Sequence, residues 1–154
     1  MKQLSLMMVI LFIVAVSSGL SAQSNELMDE FLSRPAADLG TSTYLVLAAS
    51  GIIDNSSSPE DAVNWLSRSA LARRFPDMDG SRNISYGEFS YLLMEIMEIP
   101  GGVMYRMIPG PRYAAREIAY RELILGKSMP GRDLRPYEVI STLILVLEER
   151  EAGL

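Results

Sequence analysis

The residues whose types and spacing best suit chemistry lie in one stretch, Asp77-Met78-Asp79-Gly80-Ser81-Arg82-Asn83-Ile84-Ser85-Tyr86-Gly87-Glu88-Phe89. Oxygen-bearing side chains alternate through it, and a glutamate follows on what reads as the start of a helix. A hard cation takes about six or seven oxygens; alternation turns successive oxygens toward one point, and the helix supplies the last two. Other chemistries are excluded by composition. The chain of 154 residues contains no His and no Cys. It therefore lacks a histidine proton relay, a thiol nucleophile, a disulfide and a conventional zinc site. Asp77 and Asp79 are spaced for coordination rather than for paired-carboxylate hydrolysis. Ser128 and Lys127 are only sequence neighbours, and no glycine-rich phosphate loop is present. A non-enzymatic protein is expected, with a carboxylate-dependent hydrolase as a distant alternative.

The same segment resembles the calcium loop of the EF-hand family. The resemblance implies a calcium site at residues 77–88. Asp77, Asp79 and Ser81 would take the first, third and fifth positions. The Asn83 carbonyl would take the seventh, Ser85 the ninth, directly or through water, and Glu88 the bidentate twelfth. Ile84 matches the apolar eighth position, and Phe89 the first core residue of the exiting helix. The departures are specific. Arg82 replaces the usual sixth-position glycine, Pro76 and Arg73 stand where the incoming helix is apolar, and residues 127–138 lack the first three ligands of a paired loop. The competing reading is an aspartate- and serine-rich turn closed by a Ser85–Glu88 capping box.

Phe75-Pro76-Asp77, Ile84-Ser85, Glu88-Phe89 and Leu92-Leu93 are also similar to the S-layer homology module. Leu123-Ile124-Leu125-Gly126, Leu134 and Glu138-Val139 read as a second copy, and Gly51-Ile52 as the Gly-Ile pair between its helices. That resemblance spans residues 44 to 149 and implies a metal-free envelope- or cell-wall-associated helical module. Ser85-Tyr86-Gly87-Glu88 departs from the usual Thr-Arg-Ala-Glu by lacking its Arg.

Several elements must position these residues. Lys2, the apolar run Leu4 to Val16 (broken only by Ser5) and Leu20-Ser21-Ala22 read as a secretory signal peptide, 1–22, leaving a helical domain, 23–154. The alternative is an uncleaved membrane anchor. Asn25 opens a helix stopped by Pro35, and Tyr44 to Ala49 is closed by Gly51. Ser58-Pro59 followed by Glu60 and Asp61 starts a third helix, which carries Trp65 as a core anchor and fades near Arg74. Ser85 and Glu88 start a fourth, Arg112 to Leu125 a fifth capped by Gly126, and Pro136 to Glu149 a last one. The last is apolar on nearly every side and is expected to be central or covered by a partner, with a strand at Leu143 to Leu147 as the local competitor. Arg82 to Glu88 aligns at an offset of 50 with Arg132 to Glu138, suggesting repeated helix-turn-helix units. The expected fold is all-α: short helices in one small helix-turn-helix repeat-like domain after the signal peptide.

The formal charge is −5, from 14 basic and 19 acidic residues, which argues against a nucleic-acid partner. Residues 106 to 135 run against that balance, with seven cations and three acids leaving +4. Such a segment suits an anionic lipid or polymer; interrupted by Glu117 and Glu122, it also fits an ordinary solvated face. The expected protein is periplasmic or secreted and binds calcium at one weak loop. Its role is structural or interactive, its partner an unidentified protein or anionic envelope polymer. Membrane contact is expected only if the N-terminal segment stays uncleaved.

Overall fold

A computed structural model describes residues 25–124 and 127–153. The expected signal peptide, its cleavage site and the Gly126 cap lie outside the described residues. The chain divides into two units, Met1–Ser33 and Arg34–Leu154. In the first, residues 25–33 are helical (α1), and the Ser33 hydroxyl donates to the Glu30 carbonyl at 2.7 Å.

The second unit is all-α, with no strand among the described residues. Apart from α5, whose N-cap is Gly102 with no side-chain cap, the helices of this unit begin where a capping side chain or a proline at the first position accounts for free amides of the first turn. Asp38 accepts from the Thr41 amide at 2.7 Å and opens α2, Leu39–Ser50. Gly51 closes α2 at φ 77°, a left-handed conformation that glycine adopts without steric cost. Ser58 and Asp61 form a capping box around Pro59 at the start of α3, Pro59–Arg68, and Ser69 restarts the chain as a 3-10 turn, Ala70–Arg74. Ser85 and Glu88 form the box of α4, Tyr86–Ile96. Three more helices follow: α5, Val103–Met107; α6, Pro111–Tyr120; and α7, Pro136–Glu151.

The core is built around α4. Every residue from Tyr86 to Met94 is buried, and α4 packs against α6 and α2. Of the two placements expected for the last helix, central or covered by a partner, the central one is therefore corrected. The segment Leu143 to Leu147 is helical rather than extended, but α7 buries one side and leaves Tyr137, Ile144 and Leu145 exposed. Trp65 is only half-buried; Ala62 and Leu66 are the residues of α3 that enter the core. α6 stops at Tyr120, short of Leu125, and Glu122 follows at φ 55°.

Three loops meet at the N-termini of α2, α4 and α7. The Ala37 amide donates to the Leu134 carbonyl at 2.8 Å, the Leu134 amide to Ile84 at 3.2 Å, and the Ile84 amide to Ala37 at 2.9 Å, closing a ring of backbone hydrogen bonds. Outside the ring the pattern recurs. Leu39 donates to Arg82 and Gly40 to Gly80, both at 2.8 Å; Tyr86 donates to Arg132 at 2.7 Å and Gly87 to Pro130 at 2.8 Å. Gly40 and Gly87 occupy matching places, and both are required by close backbone approach. A Cβ on Gly40 would lie 3.1 Å from the Gly80 carbonyl oxygen, and one on Gly87 would lie 3.0 Å from that of Pro130 and 3.1 Å from that of Pro111. Buried loop amides need partners as much as helical ones do, and the ring supplies them without a sheet.

Candidate functional site

At the 77–88 loop the cation is the Arg82 side chain. Its Nε donates to the Asp77 carbonyl at 3.0 Å, and one terminal nitrogen donates to the Asn83 carbonyl at 2.9 Å and to Glu88 Oε2 at 3.1 Å. The other terminal nitrogen donates to Glu88 Oε1 at 2.8 Å. One guanidinium thus gathers the first, seventh and twelfth positions of the expected calcium loop. The planar fork matches a carboxylate better than a point charge does, and it occupies both oxygens of the intended bidentate ligand.

The remaining expected ligands are turned to other work. Asp77 Oδ1 accepts from the Asp79 amide at 3.1 Å. Asp79 Oδ1 accepts from the Ser81 amide at 2.9 Å and from its hydroxyl at 2.7 Å; these two bonds hold the exposed Asp79 carboxyl below its ordinary range. The Asn83 side chain leaves the loop and donates to Asp133 at 2.7 Å. Ser85 donates its amide and hydroxyl to Glu88 Oε2 at 3.0 and 2.9 Å. Among the described residues, no group of three or more His, Cys, Asp or Glu side chains is arranged to hold a metal ion. The calcium expectation for Asp77, Asp79, Ser81, Asn83, Ser85 and Glu88, with its EF-hand resemblance and its calcium-binding role, is overturned on that geometry. The departure at Arg82 is the decisive residue, since it brings its own positive charge to the centre of the loop.

The offset-50 segment makes the same bonds. Arg132 donates from Nε to the Lys127 carbonyl at 2.8 Å, from one terminal nitrogen to Asp133 O at 3.2 Å and Glu138 Oε2 at 3.0 Å, and from the other to Glu138 Oε1 at 2.7 Å. The Arg135 amide donates to Glu138 Oε2 at 2.9 Å, as the Ser85 amide does to Glu88. Burial alone would raise both glutamates. Hydrogen bonds from Arg82 and Ser85 outweigh it for Glu88, and those from Arg132 and Arg135 for Glu138, so both carboxyls sit below the usual range. Arg132 also lies 4.9 Å from the centre of the Tyr86 ring, adding a cation–π contact between the two loops. Both clusters are cross-links: their carboxylates are ionised, paired and largely shielded.

The exposed surface carries a different arrangement, which was not legible in the sequence. α5 is a single helical turn between α4 and α6. Tyr105 is buried beneath Gly101 and hydrogen-bonds Glu95 of α4; burial, with that carboxylate next, pushes its phenol well up. Arg106 Nε donates to the Gly101 carbonyl at 3.1 Å and Arg121 to that of Pro100 at 2.6 Å, tying down both flanks. From this base Val103, Met104, Met107 and Ile108 face outward. On adjoining α6, Arg112 and Arg116 are exposed one turn apart, and neither makes an ion pair or hydrogen bond among the described residues. Of the seven cations in residues 106 to 135, Arg106, Arg112 and Arg116 lie on α5 and α6, while Arg132 is withdrawn into its pair with Glu138. A cleft of about 460 Å³ also lies beside Trp65, between Ile53, Asn64 and Arg68. Among the described residues no helix is long and apolar enough to cross a membrane.

No family model, curated protein or solved structure matches the chain, so neither the EF-hand nor the S-layer homology resemblance is upheld.

Proposed function

We propose that this chain is a non-catalytic, extracytoplasmic interaction module, with a rigid core held by internal arginine–carboxylate cross-links. In this reading residues 77–96 and 127–151 are two copies of one loop-helix unit, and Asp38 with α2 is a divergent third. The matched bonds of Arg82 and Arg132, and the places of Ala37, Ile84 and Leu134 in the backbone ring, support that description. The Lys2 and Leu4 to Val16 pattern supports export.

The module binds an anionic partner at the α5–α6 corner. The observation that carries this is the exposed pair Arg112 and Arg116, without an ion pair among the described residues, in a chain whose formal charge is −5. A local basic surface on an acidic protein does not serve solubility, and it steers a negatively charged partner to one face. The test is retention on immobilised dextran sulfate at low salt. Arg112→Gln/Arg116→Gln should elute at lower salt than the parent, while Arg68→Gln, an exposed arginine on α3, should not. Equal elution of all three proteins would refute the assignment.

A further inference from the structure

We infer that the anionic partner is a phospholipid bilayer surface, into which the outward face of α5 inserts. This rests on the anionic-partner reading above and adds its chemical class. Four apolar side chains stand in α5 and at its end: Val103 is 69% exposed, Met104 49%, Met107 70% and Ile108 50%. Val103, Met104 and Met107 share one face of α5 and form its apolar tip, and Ile108, which ends the helix in a non-helical conformation, continues the exposed apolar stretch. A soluble polyanion offers such a tip nothing to bury it, whereas the boundary between lipid headgroups and acyl chains does.

The cations are placed for that geometry. Arg106 lies on the same turn, is exposed, and has its Nε engaged at the Gly101 carbonyl. Arg112, Arg116 and Tyr120, at spacings of four on α6, share a second exposed line, and Tyr120 is 88% exposed. Arginine at headgroup level pairs bidentately with phosphate, and an amphipathic tyrosine suits the same depth. The tip stands on a packed base. Gly101 leaves room for Tyr105, where a Cβ would sit 2.4 Å from its ring, and Pro109-Gly110-Pro111 turns the chain directly into α6. Apolar side chains on a fixed base cannot fold back to hide themselves, and the cations beside them match a negatively charged membrane.

The full chain contains no cysteine, so Met107→Cys can carry one environment-sensitive fluorophore that reports α5 itself rather than the apolar run at residues 4–16. Ser67→Cys on α3 is the matched control. Vesicles of equimolar phosphatidylglycerol and phosphatidylcholine should shift the emission of the label at 107 to the blue and leave that at 67 unchanged. Pure phosphatidylcholine vesicles should give little shift. Arg112→Gln and Arg116→Gln should each weaken the vesicle-dependent shift about five-fold in apparent affinity at low salt. Retention on dextran sulfate without a blue shift at 107 would overturn the bilayer assignment and leave the anionic-partner reading intact; loss of both would overturn both. An equal shift with pure phosphatidylcholine, or an equal shift at residue 67, would also overturn it. So would a shift that follows protein concentration without vesicles, by assigning the tip to a second copy of the chain.

Discussion

Replacing Arg82 with Met removes a cation while keeping most of its apolar stem. The Glu88 side chain is 10% exposed and that of Arg82 20%, and the pair is bidentate at 2.8 and 3.1 Å. Removing one partner from a buried pair costs about 3–5 kcal/mol, because the other charge is left without compensation. Two facts temper that range: the guanidinium retains some solvent contact, and Ser85 still gives Glu88 two hydrogen bonds. The Asp77 and Asn83 carbonyls also lose a donor, but both bonds are exposed and water replaces it at little cost. The expected loss is about 3 kcal/mol, which corresponds to roughly 12 °C in melting temperature for a unit of this size. Arg82→Met/Glu88→Gln should recover a large part of it, since a neutral amide is far cheaper to leave in place than a lone carboxylate. Urea unfolding followed by circular dichroism measures both losses, with the midpoint falling and the slope unchanged. A single-variant loss below about 1 kcal/mol, the range of ordinary surface pairs, would refute the reasoning. So would a double variant no more stable than the single. Because arginine is the cation of the loop, melting curves of the parent in millimolar calcium and in chelator should superimpose.

Four further outcomes follow from the same contacts. Glu88 and Glu138 have lowered carboxyl pKa values in the folded state, so their contribution is complete above the unfolded value of about 4.3 and is lost as pH falls through the folded values; acid unfolding should steepen below about pH 4.5 and be blunted in Glu88→Gln/Glu138→Gln. Gly87→Ala should destabilise by about 1–3 kcal/mol in thermal melts, although alanine ordinarily favours a helix, because its Cβ meets two backbone carbonyl oxygens. Tyr86→Phe should be neutral or stabilising by up to about 1 kcal/mol, since the buried phenol oxygen has no hydrogen-bond partner among the described residues; a large loss in thermal melts would refute this. Glu98→Gly and Glu122→Gly should each raise stability by roughly 0.5–1 kcal/mol, because both glutamates hold φ 55° just beyond helix ends.

Several helix boundaries were readable from the amino-acid order because capping is local chemistry, although α2 begins at Leu39, five residues before the expected Tyr44, and α5 was not foreseen. Ser58-Pro59 with Asp61, Ser85 with Glu88, Gly51 and Pro136 each act within one turn of their own position, and each falls where a helix begins or ends. The offset-50 alignment likewise held the pairing of Arg82 with Glu88 and of Arg132 with Glu138, both six residues apart. What it did not disclose was the direction of the guanidinium. The oxygens of residues 77–88 suit an external ion or an internal arginine equally well in one dimension, and only the path of the folded loop turns Arg82 inward. Burial was similarly a tertiary decision. α7 has the more continuous apolar run, yet α4 is enclosed, because the surrounding helices close over Tyr86 to Met94 and leave one side of α7 open. The ring joining Ala37, Ile84 and Leu134 links residues 47 and 50 positions apart through backbone groups that every residue carries. Side-chain identity therefore could not announce it: whether an amide meets a distant carbonyl is decided only when the packed helices bring their loops together.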